Sequence, residues 1–409
     1  MTVKHIYTSL DIGSDSIKIV VCELYQNRLN LLAATNIKSA GIKRGLITNV
    51  ELASKCIKKA FDDISDMVGF KVNKTIVNVP SYLAEYSIIK GNVDVDNTSP
   101  ITNRDIMKSL EVAIKTKKLK TREMVTVLPI DFKVDNDIAI KEPIGLKGSK
   151  LSVRAVLVSV PKKNVYSVLG VLETIGIEVV DISTNNIGDM YSFRNKNFEE
   201  KVSAIINIGS DTTSVSIYNR SVIVKSSILN CGGKNIDDAI AANYNISTAV
   251  ARKLKHKYAL ASKKHAKSND SIVCDDLDGK SVKINQYELS EIVEKNAKEI
   301  LNLAKNELNT LTSKRIDYII ITGGMSNIAA FEYASYDIFG ENINIGSMKM
   351  IGVRNNKYSS VVGNIVYFIS KLKLKGQNYS MIDDGDNTKS ISRTPDSTLS
   401  KVFGYFFND

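Results

Sequence analysis

Tryptophan is absent from the 409-residue chain, and histidine and cysteine are scarce, with three and four copies. His5, His256 and His265 are too scattered for a zinc centre. Cys22, Cys56, Cys231 and Cys274 show neither metal-ligand spacing nor a disulfide framework, as expected of a reducing compartment. No apolar stretch approaches the ~20 residues of a membrane span, and no signal-peptide core precedes the first apolar run, so the body is expected in the cytoplasm. The remaining composition, 43% hydrophobic and 24% charged, is globular and long enough for two to three domains. The net charge of +11 concentrates in basic runs at 115–122 and 252–267, each either a docking surface for an acidic partner or a solvated helix face.

One pattern occurs twice. Leu10-Asp11-Ile12-Gly13-Ser14-Asp15-Ser16 leads into Ile17-Lys18-Ile19-Val20-Val21, and Ile206-Asn207-Ile208-Gly209-Ser210-Asp211-Thr212 leads into Thr213-Ser214-Val215-Ser216-Ile217. Each copy reads as an apolar strand, a tight glycine turn with small hydroxylic residues, and an alternating return strand. Such a hairpin tip exposes backbone N–H groups that can cradle phosphate oxygens. Two copies half a chain apart suggest two similar half-domains facing across a cleft. Two further glycine turns occur in the order one nucleotide cleft requires. They are Asn230-Cys231-Gly232-Gly233 before a helix and Thr322-Gly323-Gly324-Met325-Ser326 after a continuous apolar strand.

Hydrophobic periodicity places strands at 7–10, 17–25, 29–36 and 74–79, with a helix over 49–69 that Asn49 caps. The texture changes over 82–161, which reads as an inserted α+β module with a Thr102-led helix. Helices are expected at 163–175, 185–193, 235–262, 287–311 and 360–372, a short hairpin near 272–284, and strands at 179–182 and 318–322. The polar stretch 375–395 has little to bury and reads as a disordered linker. Beyond it Leu399, Val402, Phe403, Phe406 and Phe407 fall at i, i+3, i+4, i+7 and i+8, one apolar face of a helix over 396–409. The alternatives are a terminal helix docked on its own body and an interfacial membrane anchor, and the long polar tether favours the anchor.

The ordered set of turns resembles the actin, heat-shock chaperone and sugar-kinase superfamily. Ser9–Gly13, Gly41-Ile42-Lys43-Arg44-Gly45-Leu46-Ile47, Gly91–Val93, Ile101–Ile106, Leu128–Ile130, Pro143–Gly148, Ile321–Gly324 and Tyr358–Asn364 are similar to the FtsA family of bacterial division proteins. The position of the inserted module separates that family from actin and the chaperones. The resemblance implies an α/β actin-like two-lobed fold, two RNase H-like domains around a nucleotide cleft, with an FtsA-type inserted subdomain and a C-terminal amphipathic helix. Its lobe 1 core would comprise 1–81, 162–195 and 360–374, the insert 82–161, the lobe 2 core 196–230 and 312–359, and a further subdomain 231–311.

The same resemblance implies ATP and Mg2+ as ligands. Asp11 would hold Mg2+ through water. Gly13, Ser14, Asp15, Ser16 and Lys18 would lie at the first phosphate loop, and Asn207, Gly209, Ser210, Asp211 and Thr212 at the second. Gly232, Gly233 and Lys255 would border the nucleotide, while Gly323, Gly324 and Met325 pack on its base. Departures from the family pattern qualify this. Asn207 stands where the family usually has Asp, Asp15 and Asp211 are extra carboxylates, and Arg252 replaces a ribose-contacting Glu. No Glu or Gln in 183–190 is available to orient a water, so weak or absent hydrolysis is expected. Implied partners are FtsZ, further copies of the chain in a filament, anionic membrane lipid and other division proteins, at the cytoplasmic face of the membrane at the division site, with no nucleic acid. The rivals are an ATP-driven kinase or chaperone of the superfamily and a pilus-assembly adaptor.

Overall fold

A computed structural model describes residues 4–135 and 138–382. The first apolar run forms β1 (His5–Ile12), which turns at Gly13 into β2 (Ser16–Tyr25) and β3 (Arg28–Lys38). A two-residue ladder, β4 (Ile42–Lys43) with β5 (Leu46–Ile47), precedes α1 (Val50–Val68). The Asn49 side chain accepts the Leu52 N–H and left-handed Gly69 closes the other end of this helix. Ala53, Ile57, Ala60, Phe61 and Ile64 form its buried stripe, and Val50 lies outside it, exposed on the first turn. β6 (Lys74–Asn78) then enters the sheet parallel to β1.

The insert follows as β7 (Glu85–Asp94), α2 (Asn103–Lys115), β8 (Arg122–Val134) and β9 (Lys150–Pro161), with sheet order β7-β9-β8. A capping box between Thr102 and Asp105 starts α2. The helix lies directly on β7 because Gly91 has no side chain: a Cβ there would sit 2.1 Å from the Ser109 carbonyl. Ile89, Ile106, Leu110, Leu151 and Leu157 give the module its own core.

The chain returns to the first sheet through α3 (Lys162–Thr174) and β10 (Glu178–Ser183), completing the order β10-β6-β1-β2-β3. Then α4 (Asn185–Phe193) and α5 (Lys196–Glu200) lead into β11 (Val202–Ile208), β12 (Thr213–Asn219) and β13 (Val222–Leu229). Next come α6 (Gly233–Tyr244), α7 (Thr248–Lys257), the hairpin β14 (Ser271–Asp275) and β15 (Ser281–Asn285), and α8 (Gln286–Leu311). β16 (Tyr318–Thr322), α9 (Phe331–Phe339), β17 (Ile343–Ile345) and α10 (Ser359–Lys375) follow. The second sheet, β13-β12-β11-β16-β17, repeats the first: an antiparallel meander followed by two strands parallel to its opening strand.

The single helix expected over 235–262 is two, because Asn245 adopts a left-handed conformation at φ 51° and ends α6. The expected linker also starts later than 375. α10 runs through Lys375, and Gly376 caps it in the left-handed region. The chain then turns back onto β1: the Met381 N–H donates to the Ile6 carbonyl (2.9 Å) and Ser380 Oγ accepts the Ile6 N–H (3.0 Å). β6 registers with β1 only at Ser9 and Leu10, which leaves the earlier part of that edge for the returning segment. The expected linker residues 383–395 and the amphipathic stretch 396–409, with Leu399, Val402, Phe403, Phe406 and Phe407, lie outside the described residues.

Candidate functional site

Between the two sheets lies a cavity of about 470 Å³. The two echoed hairpins face it and close in the same way. The Gly13 N–H donates to the Ser16 carbonyl (3.1 Å), and the Gly209 N–H donates to the Thr212 carbonyl (2.9 Å). Of the cleft residues expected from sequence, Gly232 alone does not line the cavity. Gly232 serves the scaffold instead, since a Cβ there would meet the Ser210 carbonyl at 2.5 Å and the Gly209 carbonyl at 2.7 Å. That closeness lets Gly233 and Lys234, at the start of α6, donate their N–H groups to Gly209 and Ser210 at 2.9 Å each. Gly323, at φ 91°, lies just as close to the Ile208 carbonyl, whereas Gly324 borders open space.

The side chains in the cleft are heavily paired. Asp11 and Lys18 stand opposite each other across the first hairpin, and Lys18 Nζ lies 2.8 Å from Asp11 Oδ2 in a buried ion pair. Ser14 Oγ accepts the Gly45 N–H at 2.7 Å. Lys255, almost wholly buried, bridges Asp237 (2.6 Å) and donates to the Gly233 carbonyl (2.6 Å), so it ties α7 to α6. The two extra carboxylates both reach across the cleft. Asp15 is held by both terminal nitrogens of Arg252, and Asp211 Oδ2 accepts the Arg44 N–H at 3.1 Å. The departures at Asp15 and Arg252 are thus one feature, an ion pair joining the first hairpin to α7.

Asn207 does not point at the cavity alone. Its Nδ2 donates to Asp189 Oδ2 at 2.7 Å, while Asp189 Oδ1 accepts Ser359 Oγ (2.6 Å) and Ser360 Oγ (2.8 Å). Burial pushes the Asp189 carboxyl up to about 6, against the pull of these three donors. Asp189 lies within 183–190, the segment that holds no Glu or Gln. So does Asn185, which lines the cavity at the start of α4. Sequence reading also passed over Asn78, Arg44 and Lys357, all of which line it. Lys357 precedes the Tyr358–Asn364 stretch by one residue, and that proximity was the available signal.

The side chains by themselves build no cage for a divalent ion. Asp11 gives its carboxylate to Lys18, Asn207 has no charge, and among the described residues no three His, Cys, Asp or Glu side chains converge to hold a metal. Positive charge gathers there instead. Burial lowers the Lys357 ammonium pKa, with Lys18 and Arg252 adding to the effect.

A family model described as "Cell division protein FtsA" matches residues 204–363, and one described as "SHS2 domain inserted in FTSA" matches residues 85–159. The cell division protein FtsA of Bacillus subtilis (strain 168) is 27% identical over 381 residues, spanning 92% of this chain and 86% of that protein. Among solved structures, the PilM-PilN type IV pilus biogenesis complex matches with a TM-score of 0.58 at 13% identity, covering 88% of this chain and 98% of that one. MreB 5 of Spiroplasma citri bound to AMPPNP matches with a TM-score of 0.56 at 16% identity, covering 91% of this chain and 99% of that one. At these identities the two structures speak for the fold. Among the described residues no helix is long and apolar enough to cross a membrane.

Proposed function

The chain belongs to the FtsA family of actin-like bacterial cell-division proteins, and we propose on that premise that it binds ATP between its lobes, assembles into filaments on the cytoplasmic membrane face and tethers FtsZ there. The observation that carries the nucleotide reading is the pair of matching hairpin tips, closed on Gly13 and Gly209, facing one cation-rich cavity. Hydrolysis is slow or absent in this reading. The second loop has Asn207 where the family usually has Asp, its Asp211 accepts the Arg44 N–H, and Asp189 beneath it is occupied by Asn207, Ser359 and Ser360.

The FtsZ tail would dock on the subdomain of α6 to α8. Arg252 and Lys255 face the cleft, so the exposed Lys253, Lys257, Lys264 and Lys267 remain to attract an acidic peptide. Leu399, Val402, Phe403, Phe406 and Phe407 would insert into anionic lipid, and filament formation would multiply a weak single anchor. Neither rival is favoured: the kinase or chaperone reading lacks a free catalytic carboxylate, and the pilus likeness is one of fold.

Co-sedimentation of the full chain with vesicles containing anionic lipid tests the anchor directly. The wild type is expected to pellet with them, and Phe403→Glu with Phe406→Glu to leave it in the supernatant. Pelleting retained by that variant would remove the terminal segment from membrane binding.

A further inference from the structure

The charges of the cleft do not balance in favour of a metal. Every carboxylate in or beneath it already has a partner: Asp11 has Lys18, Asp15 has Arg252, Asp211 has the Arg44 N–H, Asp237 has Lys255, and Asp189 has Asn207 and two serines. Lys357 has no acidic partner among the described residues, its ammonium lying 5.1 Å from the Tyr358 ring centroid. It lines the same cavity as Lys18 and Arg252, and both push its pKa down by repulsion.

A second, independent feature points the same way. Asn78 is 5% exposed, lines the cavity from the end of β6, and its Nδ2 has no hydrogen-bond partner. Its Oδ1 is fixed by the Asn364 amide on α10, which leaves the Nδ2 as an unused donor. The Lys357 cation, which has no acidic partner among the described residues and faces Lys18 and Arg252, and an unsatisfied amide donor are relieved together by one kind of ligand group, a multiply charged oxyanion. A divalent ion would add to the repulsion. In nucleotide sites Mg2+ is held by one or two free carboxylates together with the phosphates, whereas here Asp11, Asp15 and Asp237 face cations and Asp211 alone is left with a neutral backbone donor.

We propose that the cleft takes its nucleoside polyphosphate without a divalent ion, with Lys18, Arg252 and Lys357 supplying the positive charge that Mg2+ would bring and Asn78 donating to a phosphate oxygen. This rests on the nucleotide-cleft reading above. Arg252 reaches the phosphates by exchanging the Asp15 carboxylate for them, so Asp15 competes with the ligand for the same guanidinium.

The test is titration of the full chain with a fluorescent ATP analogue, once with excess Mg2+ and once with excess EDTA. Affinity is expected to be the same within about threefold in the two conditions. Lys357→Gln should weaken binding about tenfold or more in EDTA, as for loss of one charged hydrogen bond, with its thermal midpoint unchanged. Asp15→Asn should tighten binding, a direction that misfolding cannot produce. Binding that requires Mg2+ overturns the proposal and leaves the nucleotide reading intact. Absence of binding in both conditions overturns the nucleotide reading and the proposal with it. Unchanged affinity in Asp15→Asn removes Arg252 from the set.

Discussion

Asn207 shows how one amide can satisfy two demands. Its neighbour Asp189 is fully buried and keeps its charge only through donors, of which the Asn207 Nδ2 at 2.7 Å is one. With a folded value of about 6 against an ordinary 3.8, Asp189 favours its neutral form in the native state. Its contribution to stability is therefore fully present below the unfolded value and is lost as pH rises through about 6. Asn207→Asp would place a second carboxylate against Asp189 Oδ2, and two such groups cannot both ionise. The variant should lose roughly 3 kcal/mol at neutral pH, in line with an uncompensated buried charge, and recover much of it near pH 5. Thermal midpoints at the two pH values measure this. The exchange Asp189→Asn with Asn207→Asp keeps a donor facing an acceptor, and the amide carbonyl placed at position 189 can still accept from Ser359 and Ser360, so it should restore the neutral-pH midpoint. A single variant as stable as wild type at pH 7.5 would show that Asp189 is protonated there already. In the sequence Asn207 stood out as a departure, yet its partner did not. The pairing depends on α4 running beneath the second hairpin, which no local pattern encodes.

At the scale of elements, α4 and α10 cross where two glycines meet. A Cβ on Gly363 would stand 1.7 Å from the Gly188 carbonyl, and one on Gly188 would stand 2.2 Å from the Ser360 carbonyl. These helices join the lobes, α4 by leading from β10 to β11 and α10 by returning from lobe 2 to pack on β1. Gly363→Ala has no room to relax into, and overpacking of this kind should cost about 1–3 kcal/mol, read as a lowered denaturation midpoint. Gly45→Ala is a useful contrast. It meets nothing within 4 Å but sits at φ 72°, so its smaller loss would come from backbone strain alone. An unchanged Gly363→Ala midpoint would mean that the helices slide apart freely. Much of the element layout was legible because the signals are local: the Asn49 cap, the Thr102–Asp105 box and the periodic stripe of α1 each lie within one helix. The break at Asn245 and the docking of Ser380 and Met381 on β1 were not. The first turns on a residue that tolerates both helix and left-handed geometry. The second needs an open sheet edge supplied by a strand more than 370 positions away.

For the whole molecule, the two lobes touch across the mouth of the cleft through Asp15 with Arg252 and Asp211 with the Arg44 N–H. Sequence repetition announced two facing lobes, and the structure adds the side chains that join them across the cleft. The Arg252 side chain keeps 41% of its surface and Asp15 keeps 24%, so solvent screens their attraction. A bridge of this kind contributes on the order of 1 kcal/mol, enough to shift an open–closed balance by about fivefold and too little to lock it. Arg252→Asp replaces attraction with repulsion from Asp15 and should open the lobes in ligand-free protein, seen as a larger radius of gyration in small-angle X-ray scattering. Asp15→Arg combined with Arg252→Asp restores opposite charges at the same two positions and should return the radius to the wild-type value. High salt should move the wild type toward the open form and Arg252→Asp the opposite way, because the former has an attraction to screen and the latter a repulsion. Scattering profiles that coincide for wild type, Arg252→Asp and the double exchange would mean that α4, α10 and the remaining contacts, Asp211 with the Arg44 N–H and Tyr86 Oη with Ser226 Oγ, fix the lobes without this bridge.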